Sequence, residues 1–345
     1  MRNALVLCVL LQSIFLFGCS QRKQFSNPLL PSGADPWSIT LDGNYYYTHT
    51  MGDRIVLWKT SDLTNLAAAE KKTVWTPPAG EPYSHELWAP ELHFIDDKWY
   101  VYFAADSGNN NSHRLWVLEN SSRNPLEGTW EFKGKLTDPT DKWAIDGSVI
   151  KLRDQLYLAW SGWEGDVNGQ QNIYIAKMEN PWTVSGNRVK LSSPDYSWER
   201  YGELDNPNDP DHVYVNEGPQ FLKHGSRIFI IYSASGCWTD HYALGMLSAD
   251  ADADLLSPDS WEKSPEPVFF ADGSAAGTIN AGHNSFFKSP DGTEDWILYH
   301  ANEKPGQGCG RSRSPRAQKF GWQENGFPDF GTPIGLTQQQ EIPSQ

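Results

Sequence analysis

Five short segments of the chain each carry one polar side chain among small or apolar residues, directly before a run typical of a β-strand. The five polar residues are Asp35, Glu91, Asp146, Glu217 and His283. Neighbours in this series are 55 to 71 residues apart. Four of them are carboxylates, and a pair of carboxyl groups can serve as general acid and general base. Taken singly, each is explained by a turn or strand-end hydrogen bond, but the repeated position favours one shared site.

Aromatic and β-branched runs follow these segments. Most of them begin after a short polar turn such as Asp42–Asn44. Turn residues of this kind between apolar runs are typical of β-hairpins. The five runs are Tyr45–Thr48, Trp99–Phe103, Leu156–Trp160, Ile228–Tyr232 and Trp296–His300.

A third strand is predicted downstream of each hairpin. The candidates are Ile55–Lys59, Leu115–Glu119, Asn172–Lys177, Ala243–Leu247 and, less clearly marked, Arg316–Phe320. Each unit is then a small antiparallel sheet of the size of a propeller blade. No long stretch has apolar residues at the helical spacing. The sequence therefore predicts an all-β protein with a single five-bladed β-propeller, although 345 residues by themselves suggest about two domains.

In a propeller the first strand of every blade lines the central channel, so the five polar residues are expected to converge there. Burying several like-charged carboxylates costs free energy and raises some of their pKa values. A functional site explains this cost better than structural economy does. Hydrolysis of a glycosidic bond needs an acid and a base, and a third carboxylate can keep the pKa of the acid raised.

Composition limits the classes of ligand. The chain has 16 Trp, 14 Tyr and 15 Phe, a content that excludes a disordered protein. Its formal net charge is −15 and no run of basic residues occurs, which excludes nucleic acid as a partner. Neutral ligands that stack on aromatic faces, such as sugars, fit this balance.

The N-terminus has the pattern of an export signal. Residues 1–18 combine Arg2 with a short apolar stretch and are predicted to be a lipoprotein signal peptide, too short to span a membrane. The segment Leu16–Ser20 resembles a bacterial lipobox, which places a lipid on Cys19; the alternative is a plain signal peptide with an incidental cysteine. This predicts an exported lipoprotein that touches the membrane only through that lipid, and Ser20 favours the outer membrane or cell surface.

The predicted organisation of the mature chain follows from these elements. Residues 19–27 form a lipidated tether, 28–336 the propeller and 337–345 a C-terminal tail. The propeller keeps two cysteines, Cys237 and Cys309, and an even pair in an exported protein permits one disulfide. The alternative is two separate buried thiols. Neither cysteine has the spacing of a zinc site.

Together the five segments resemble glycoside hydrolase family 43, whose members are five-bladed propeller enzymes acting on arabinan and xylan. The resemblance covers roughly residues 26–336. It rests on the segments Ala34–Trp37, Trp88–Glu91, Ile145–Val149, Val215–Pro219 and Gly282–Ser285.

The resemblance implies a role for each carboxylate. Asp35 would be the general base, Glu217 the general acid, and Asp146 the residue that positions the acid and modulates its pKa. It also implies inversion without a covalent intermediate, which predicts about 6.5–9.5 Å between the carboxyl groups of Asp35 and Glu217.

The family often carries a metal ion in its channel, and the resemblance places it at His283. One imidazole with waters is a thin shell for Ca²⁺, so Na⁺ or water are alternatives, as is a histidine that only forms hydrogen bonds near the acid. No cofactor is required for the chemistry itself.

Four further residues are predicted to contact the substrate. Trp88 and Trp37 are candidate walls for a sugar face, against the alternative of packing between blades. Glu91 and Arg316 are candidates for contacts to sugar hydroxyls. Arg313 is a further candidate, and for both arginines the alternative is a solvated surface position.

The segments Ser84–His93, Trp160–Gly165 and Tyr232–Trp238 look most like the exo-acting α-L-arabinofuranosidases of the family. The expected substrates are arabinan, arabinoxylan or arabino-oligosaccharides. β-Xylosidase and β-D-galactofuranosidase activities on the same fold are the alternatives. A hypothesis of another class is a non-catalytic glycan-binding surface lipoprotein, which predicts the loss of a catalytic carboxylate.

Overall fold

The structure is a computed structural model that describes residues 23–204 and 211–345. The predicted signal peptide and Cys19, the predicted site of lipidation, lie outside these residues. The strands are β1 (Gln24–Phe25), β2 (Trp37–Leu41), β3 (Asn44–Thr48), β4 (Ile55–Thr60), β5 (Glu70–Trp75), β6 (His85–Ile95), β7 (Lys98–Asp106), β8 (Arg114–Asn120), β9 (Glu131–Leu136), β10 (Ala144–Leu152), β11 (Gln155–Gly162), β12 (Gln170–Asn180), β13 (Thr183–Ser192), β14 (Tyr214–His224), β15 (Arg227–Ala234), β16 (Ala243–Asp250), β17 (Glu262–Lys263), β18 (Phe269–Phe270), β19 (Ile279–Lys288), β20 (Asp295–Asn302), β21 (Ser314–Trp322), β22 (Pro328–Asp329) and β23 (Gln340–Glu341).

Helical structure is limited to short 3₁₀ segments. In the two described ranges these are Leu63–Ala68, Asn110–Ser112, Ser197–Glu199 and Pro258–Ser260, and no residue there is α-helical. A search of the same residues finds no helix with the length and apolar character needed to cross a membrane. The chain is therefore nearly all-β, as predicted.

The strands pair into five antiparallel groups, which are called sheets 1 to 5. Sheet 1 is β2–β5, sheet 2 is β6–β9, sheet 3 is β10–β13, sheet 4 is β14–β18 and sheet 5 is β19–β22. Sheets 3 and 4 are joined by a short parallel pairing of Gln170 and Gln171 with Tyr214 and Val215. The predicted hairpins and third strands are confirmed: they lie in the second and third strands of the five sheets.

The core lies between neighbouring sheets. Apolar clusters fill the interfaces of sheets 1 and 2, 2 and 3, 3 and 4, 4 and 5, and also 5 and 1. Tyr47 of sheet 1 and Trp296 of sheet 5, for example, share one cluster. The first strand of each sheet contacts the first strand of the next, and β19 contacts β2. These five first strands, called the inner strands, are thereby brought side by side.

The two ends of the described chain meet. β1, in the predicted tether, pairs with β23, in the predicted tail, through Phe25 and Gln340. Nearby, the Asn27 side chain donates to the carbonyl of Ala317 and accepts from its N–H, at 3.0 and 2.9 Å. Both terminal segments are thus attached to sheet 5.

Cys237 and Cys309 form a disulfide that joins the loop after β15 to the loop after β20. The permitted pairing is confirmed, and the two loops it links lie on adjacent sheets. The bond closes a loop with a sequence separation of 72 residues, and closing long loops restricts the unfolded chain.

A buried carboxylate braces sheet 4. Glu199 is fully buried, and its side chain accepts hydrogen bonds from Asn216 on β14 and Tyr232 on β15, at 3.1 and 2.9 Å. Lys263 on β17 supplies the compensating charge at 2.8 Å. The network connects three strands of the sheet through one charged group.

Removing only the cation should destabilise the fold. In the variant Lys263→Met the Glu199 carboxylate stays buried without its countercharge, for which we expect a loss of about 3 kcal/mol in the free energy of unfolding. Denaturant unfolding followed by tryptophan fluorescence measures this loss.

Lys151→Met is the matched control, because Lys151 pairs with Asp96 at the surface. The same substitution there should cost less than about 1 kcal/mol. Equal losses for the two variants would contradict the bracing role of Glu199.

Candidate active site

The inner strands of sheets 2 to 5 are interrupted at corresponding places. In each, the register with the second strand shifts by a bulge. One residue of every bulge adopts a left-handed backbone: Ala89 (φ 43°), Asp146 (φ 56°), Gly218 (φ 57°) and His283 (φ 48°). Asp35, directly before β2, has the same conformation (φ 58°). A bulge bends its strand and re-aims the neighbouring side chains, and strained backbone inside strands is often found at functional sites.

This common position corrects the sequence-based alignment of the five polar residues. Asp35, Asp146 and His283 occupy the left-handed position itself. Glu217 precedes it by one residue, whereas Glu91 follows it by two. Glu217 and Glu91 therefore lie on opposite sides of the left-handed residue along their strands.

A pocket of about 460 Å³ lies over the bulges. Asp35, Asp146, Glu217 and His283 all line it. Glu91 does not. Trp88 of β6 also lines the pocket, and other lining residues come from loops between the strands: Trp143, Asn168, Trp238, Arg313 and the Cys237–Cys309 disulfide. The sequence prediction that distant carboxylates share one site is thus met for three of the four.

Asp35 is held as a carboxylate. Thr50 donates a hydrogen bond to its Oδ2 at 2.6 Å, and Arg313 donates to its Oδ1 at 3.1 Å. Burial by itself raises the pKa of Asp35, but His283, Arg313 and His300 together with the Thr50 bond lower it well below 3.8. Because burial lowers the pKa of both histidines, they are neutral near neutral pH. Arg313 is then the charge that keeps Asp35 ionised.

Glu217 has the opposite tendency. Burial, followed by the negative charge of Asp35, raises its pKa from 4.5 to about 7. Arg313 and a hydrogen bond from Tyr242, at 2.7 Å to Oε1, limit this rise. The Glu217 side chain is also partly exposed to the pocket, so it can reach a bound molecule. It is suited to hold a proton and to release it.

Asp146 is buried against the same pair. Its Oδ2 accepts a hydrogen bond from the backbone N–H of Gly218 at 2.9 Å, which ties it to the residue after Glu217. Burial, then the charges of Glu217 and Asp35, raise the pKa of Asp146 well above 3.8. At most one negative charge is favoured among Asp146 and Glu217 while Asp35 is ionised.

Of the two predicted tryptophans, one lines the pocket. Trp88 is partly exposed there, stacks on His113 at 4.1 Å between ring centroids, and donates its indole N–H to Glu86. Trp37 lies outside the pocket lining. Its ring packs on His93 and its N–H donates to the carbonyl of Leu92. Trp37 therefore packs against sheet 2, which agrees with the alternative of packing between blades.

The structure contradicts a substrate contact for Glu91. Its carboxylate is buried, pairs with His93 at 2.9 Å and accepts a hydrogen bond from Gln220. It borders a small cavity that shares Asp35 and His283 with the pocket lining. Burial raises its pKa. The residue sits two positions past the left-handed residue of its bulge and is directed to this cavity.

Arg316, also predicted to contact the substrate, likewise lies outside the pocket lining. It is fully buried in β21, and its guanidinium donates to Thr278 and to the carbonyls of Gly277 and Asn302. The pocket arginine is Arg313, three residues earlier and just before the strand. The position of Arg313 before the predicted strand, rather than within it, is the one sequence feature that distinguishes it from Arg316.

His283 lies in the pocket, with Nδ1 at 3.4 Å from Asp35 Oδ1. Among residues 23–204 and 211–345, no group of three or more His, Cys, Asp or Glu side chains could hold a metal ion. The described side chains thus do not form a metal-binding set, and an ion at His283 stays a prediction. The backbone N–H of His283 donates a hydrogen bond to Ser233 Oγ at 2.8 Å.

Two residues of this site were not found by sequence reasoning. Thr50 lies in the loop after β3 and links Asp35 to Ala89, whose N–H it accepts at 2.7 Å. Tyr242 lies just before β16, is buried, and its hydroxyl contacts Glu217. Neither belongs to a repeated segment, so only the packing of neighbouring sheets identifies them.

A carboxylate poised to accept a proton and a carboxylic acid poised to donate one define the site of an acid–base hydrolase. Comparison with known proteins agrees with this class. The family described as glycosyl hydrolases family 43 matches residues 25–328. The chain belongs to this family.

Several relatives can be compared over most of the chain. It is 42% identical over 319 residues to the extracellular exo-α-(1→5)-L-arabinofuranosidase of Streptomyces avermitilis, covering 90% of this chain and 64% of that protein. It is 40% identical over 285 residues to the protein of the same name from Streptomyces chartreusis, covering 81% and 83%. The chain thus spans less than two thirds of the Streptomyces avermitilis relative.

Solved structures share the overall fold of this chain. The α-L-arabinofuranosidase from Lactobacillus brevis superposes with a TM-score of 0.82 at 35% identity, covering 91% of this chain and 98% of that one. A thermostable family-43 glycoside hydrolase superposes with a TM-score of 0.76 at 22% identity, and this likeness concerns the fold alone.

The hydrogen bond from Tyr242 to Glu217 gives a testable pH dependence. It stabilises the ionised carboxylate, so Tyr242→Phe should raise the pKa of Glu217. An acid that must be protonated loses activity as pH rises through its pKa. The alkaline limb of the pH–activity profile should therefore move upward by about one pH unit.

Tyr299→Phe is the control, because the Tyr299 hydroxyl also bonds a buried side chain, that of Gln318, but lies away from the pocket. Its profile should match that of the unmodified protein. An unchanged or downward-shifted limb in Tyr242→Phe would show that Tyr242 does not act on the acid.

Proposed function

We propose that the protein is an inverting exo-α-(1→5)-L-arabinofuranosidase that releases arabinofuranosyl units from the ends of arabinan or arabino-oligosaccharides. The observation that carries this proposal is the pair of carboxyl groups in one pocket with opposite pKa shifts. Asp35 is held ionised beside Arg313, while the pKa of Glu217 is raised to about 7. The sugar and linkage are supported by the names of the Streptomyces relatives.

The proposed mechanism assigns one role to each carboxylate. Asp35 takes a proton from a water, whose oxygen attacks the anomeric carbon. The bond from that carbon to the leaving oxygen breaks, and Glu217 supplies the proton that the leaving oxygen needs. Asp146, tied to Gly218, holds the acid in place and disfavours its ionisation. A separation of about 6.5–9.5 Å between Asp35 and Glu217 stays a prediction of the inverting assignment.

The alternatives make different predictions. β-Xylosidase or β-D-galactofuranosidase activity would use the same carboxylates on another sugar. Arabinoxylan remains within the proposed substrate class if single arabinofuranosyl branches are released. A glycan-binding protein without catalysis is disfavoured, because all three carboxylates occur together in the pocket.

We propose further that residues 28–336 form one closed five-bladed β-propeller. This is supported by the apolar interfaces that occur between every pair of consecutive sheets, including sheets 5 and 1. It is also supported by the contact between the inner strands β19 and β2. In such a ring the pocket is at one end of the central channel.

We propose that the protein is exported and anchored by a lipid on Cys19, at the outer membrane or cell surface. Export is supported by the word extracellular in the names of the Streptomyces relatives. The anchor is supported by the lipobox-like segment Leu16–Ser20.

The anchor predicts a change of cell fraction. With Cys19→Ala the protein should move from the membrane fraction to the soluble exported fraction and should no longer incorporate labelled palmitate. An equal palmitate signal in this variant would exclude Cys19 as the lipid site.

The two catalytic roles predict different dependence on the leaving group. Glu217→Gln should lower kcat by about 10²- to 10⁴-fold on arabino-oligosaccharides. The loss should be much smaller on p-nitrophenyl α-L-arabinofuranoside, because nitrophenolate leaves without protonation. Asp35→Asn should impair both substrates similarly, since water must be activated in either case. Initial rates on the two substrates measure the difference.

Product analysis is the companion measurement for the unmodified enzyme. Linear arabinan should yield arabinose alone, and proton NMR should show the inverted β-anomer as the first product. Xylose released from xylobiose, with no arabinose from arabinan, would favour the β-xylosidase alternative. Full activity of Glu217→Gln on oligosaccharides would refute the acid role.

A further inference from the structure

A second depression adjoins the pocket and is called the rim groove. It has a volume of about 1000 Å³ and lies beside β4 and β5 of sheet 1. It shares Thr50, Glu86, Trp88, Cys309 and Arg313 with the pocket lining. Because the two spaces have these walls in common, a chain attached to a sugar in the pocket can continue into the groove.

The charges of the rim groove differ from those of the pocket. Its lining includes four cations, Arg54, Lys71, Arg311 and Arg313, and two carboxylates, Asp53 and Glu86. The pocket lining contains four carboxylates and one arginine. In a chain with a formal net charge of −15, the groove is a local region of positive charge.

Two of the groove cations are available to a ligand. Arg54 is paired with Asp53 at 2.8 Å, and Arg313 with Asp35 at 3.1 Å. Lys71 and Arg311 are exposed. Within the described part of the chain, neither side chain has an ion pair or hydrogen bond.

These two cations come from well-anchored parts of the fold. Lys71 lies on β5 and pairs in register with Trp58, which is buried at the base of the groove. Arg311 follows Cys309 by two residues, so the disulfide to Cys237 restrains its loop. Both therefore approach the groove from restrained backbone segments.

We propose that the rim groove binds the leaving-group chain of the substrate and that this chain carries carboxylates, as in a polysaccharide containing uronic acids. The inference rests on the proposed glycosidase function and deepens it. Lys71 and Arg311 would attract the carboxylates of the leaving-group chain, while the neutral arabinofuranosyl unit occupies the acidic pocket. Complementary charge of this kind adds specificity and speeds encounter.

The test compares two substrates that differ in one group. The first is an arabinofuranosyl oligosaccharide whose reducing-end sugar is a uronic acid, and the second is its carboxyl-reduced derivative. The unmodified enzyme should show a kcat/KM at least about threefold higher on the acidic substrate at low salt. The preference should fade as ionic strength rises, because exposed charges are screened.

The double variant Lys71→Gln/Arg311→Gln should abolish the preference for the acidic substrate. Lys223→Gln removes another exposed lysine, on β14 and outside the groove, and should retain the preference. No preference in the unmodified enzyme, or a preference that survives in the double variant, would overturn the proposal. Equal losses on both substrates would also overturn its charge component.

A third substrate separates this proposal from the function on which it rests. p-Nitrophenyl α-L-arabinofuranoside lacks a carbohydrate leaving group and fills only the pocket. If the unmodified enzyme does not hydrolyse it, the proposed glycosidase function fails. If it does and the acidic substrate is not preferred, only the assignment of the rim groove fails.

Discussion

The pocket depends on the bulges in the inner strands. In an unbroken strand, successive side chains alternate between the two faces of the sheet. The left-handed residue of each bulge breaks this alternation and turns a short segment toward the space above the strands. Four of the residues that line the pocket from sheets 2 to 4 stand just before or at these left-handed positions: Trp88, Ile145, Asp146 and Glu217. The backbone strain at Asp146 and His283 is thus linked to where the carboxyl groups point.

The second constraint is electrostatic and follows from the first. Once the bulges bring three carboxylates into one partly closed space, they cannot all be ionised at low cost. Arg313 and Thr50 stabilise the charge on Asp35, and the cost falls on the other two. Burial and the Asp35 charge then raise the pKa values of Glu217 and Asp146. One arginine, in a loop after β20, therefore favours Asp35 as the carboxylate that stays ionised.

Much of the fold could be predicted because the second and third strands are apolar and aromatic over runs long enough to recognise. The outermost strands were not predicted. β5, for example, is the exposed segment Glu70–Trp75, which has no apolar alternation because it packs on one neighbour only. The three carboxylates of the site were predicted, but Thr50 and Tyr242, which form hydrogen bonds with them, were not. Glu91 and Arg316 have the residue types of a sugar-binding site, yet both are buried in other layers.

The sequence by itself determined the all-β character, the five repeated units and the gathering of Asp35, Asp146 and Glu217, because repeats of similar strands place equivalent residues together. Only the tertiary structure decided the layer in which each polar side chain ends. The place of a residue relative to the bulge decides whether it reaches the pocket: Glu217, one position before the left-handed residue, does, and Glu91, two positions after it, does not. The structure also decided the protonation of the pair, because pKa values depend on Arg313 and Tyr242. These groups approach from loops far away in the chain, and no local pattern marks them.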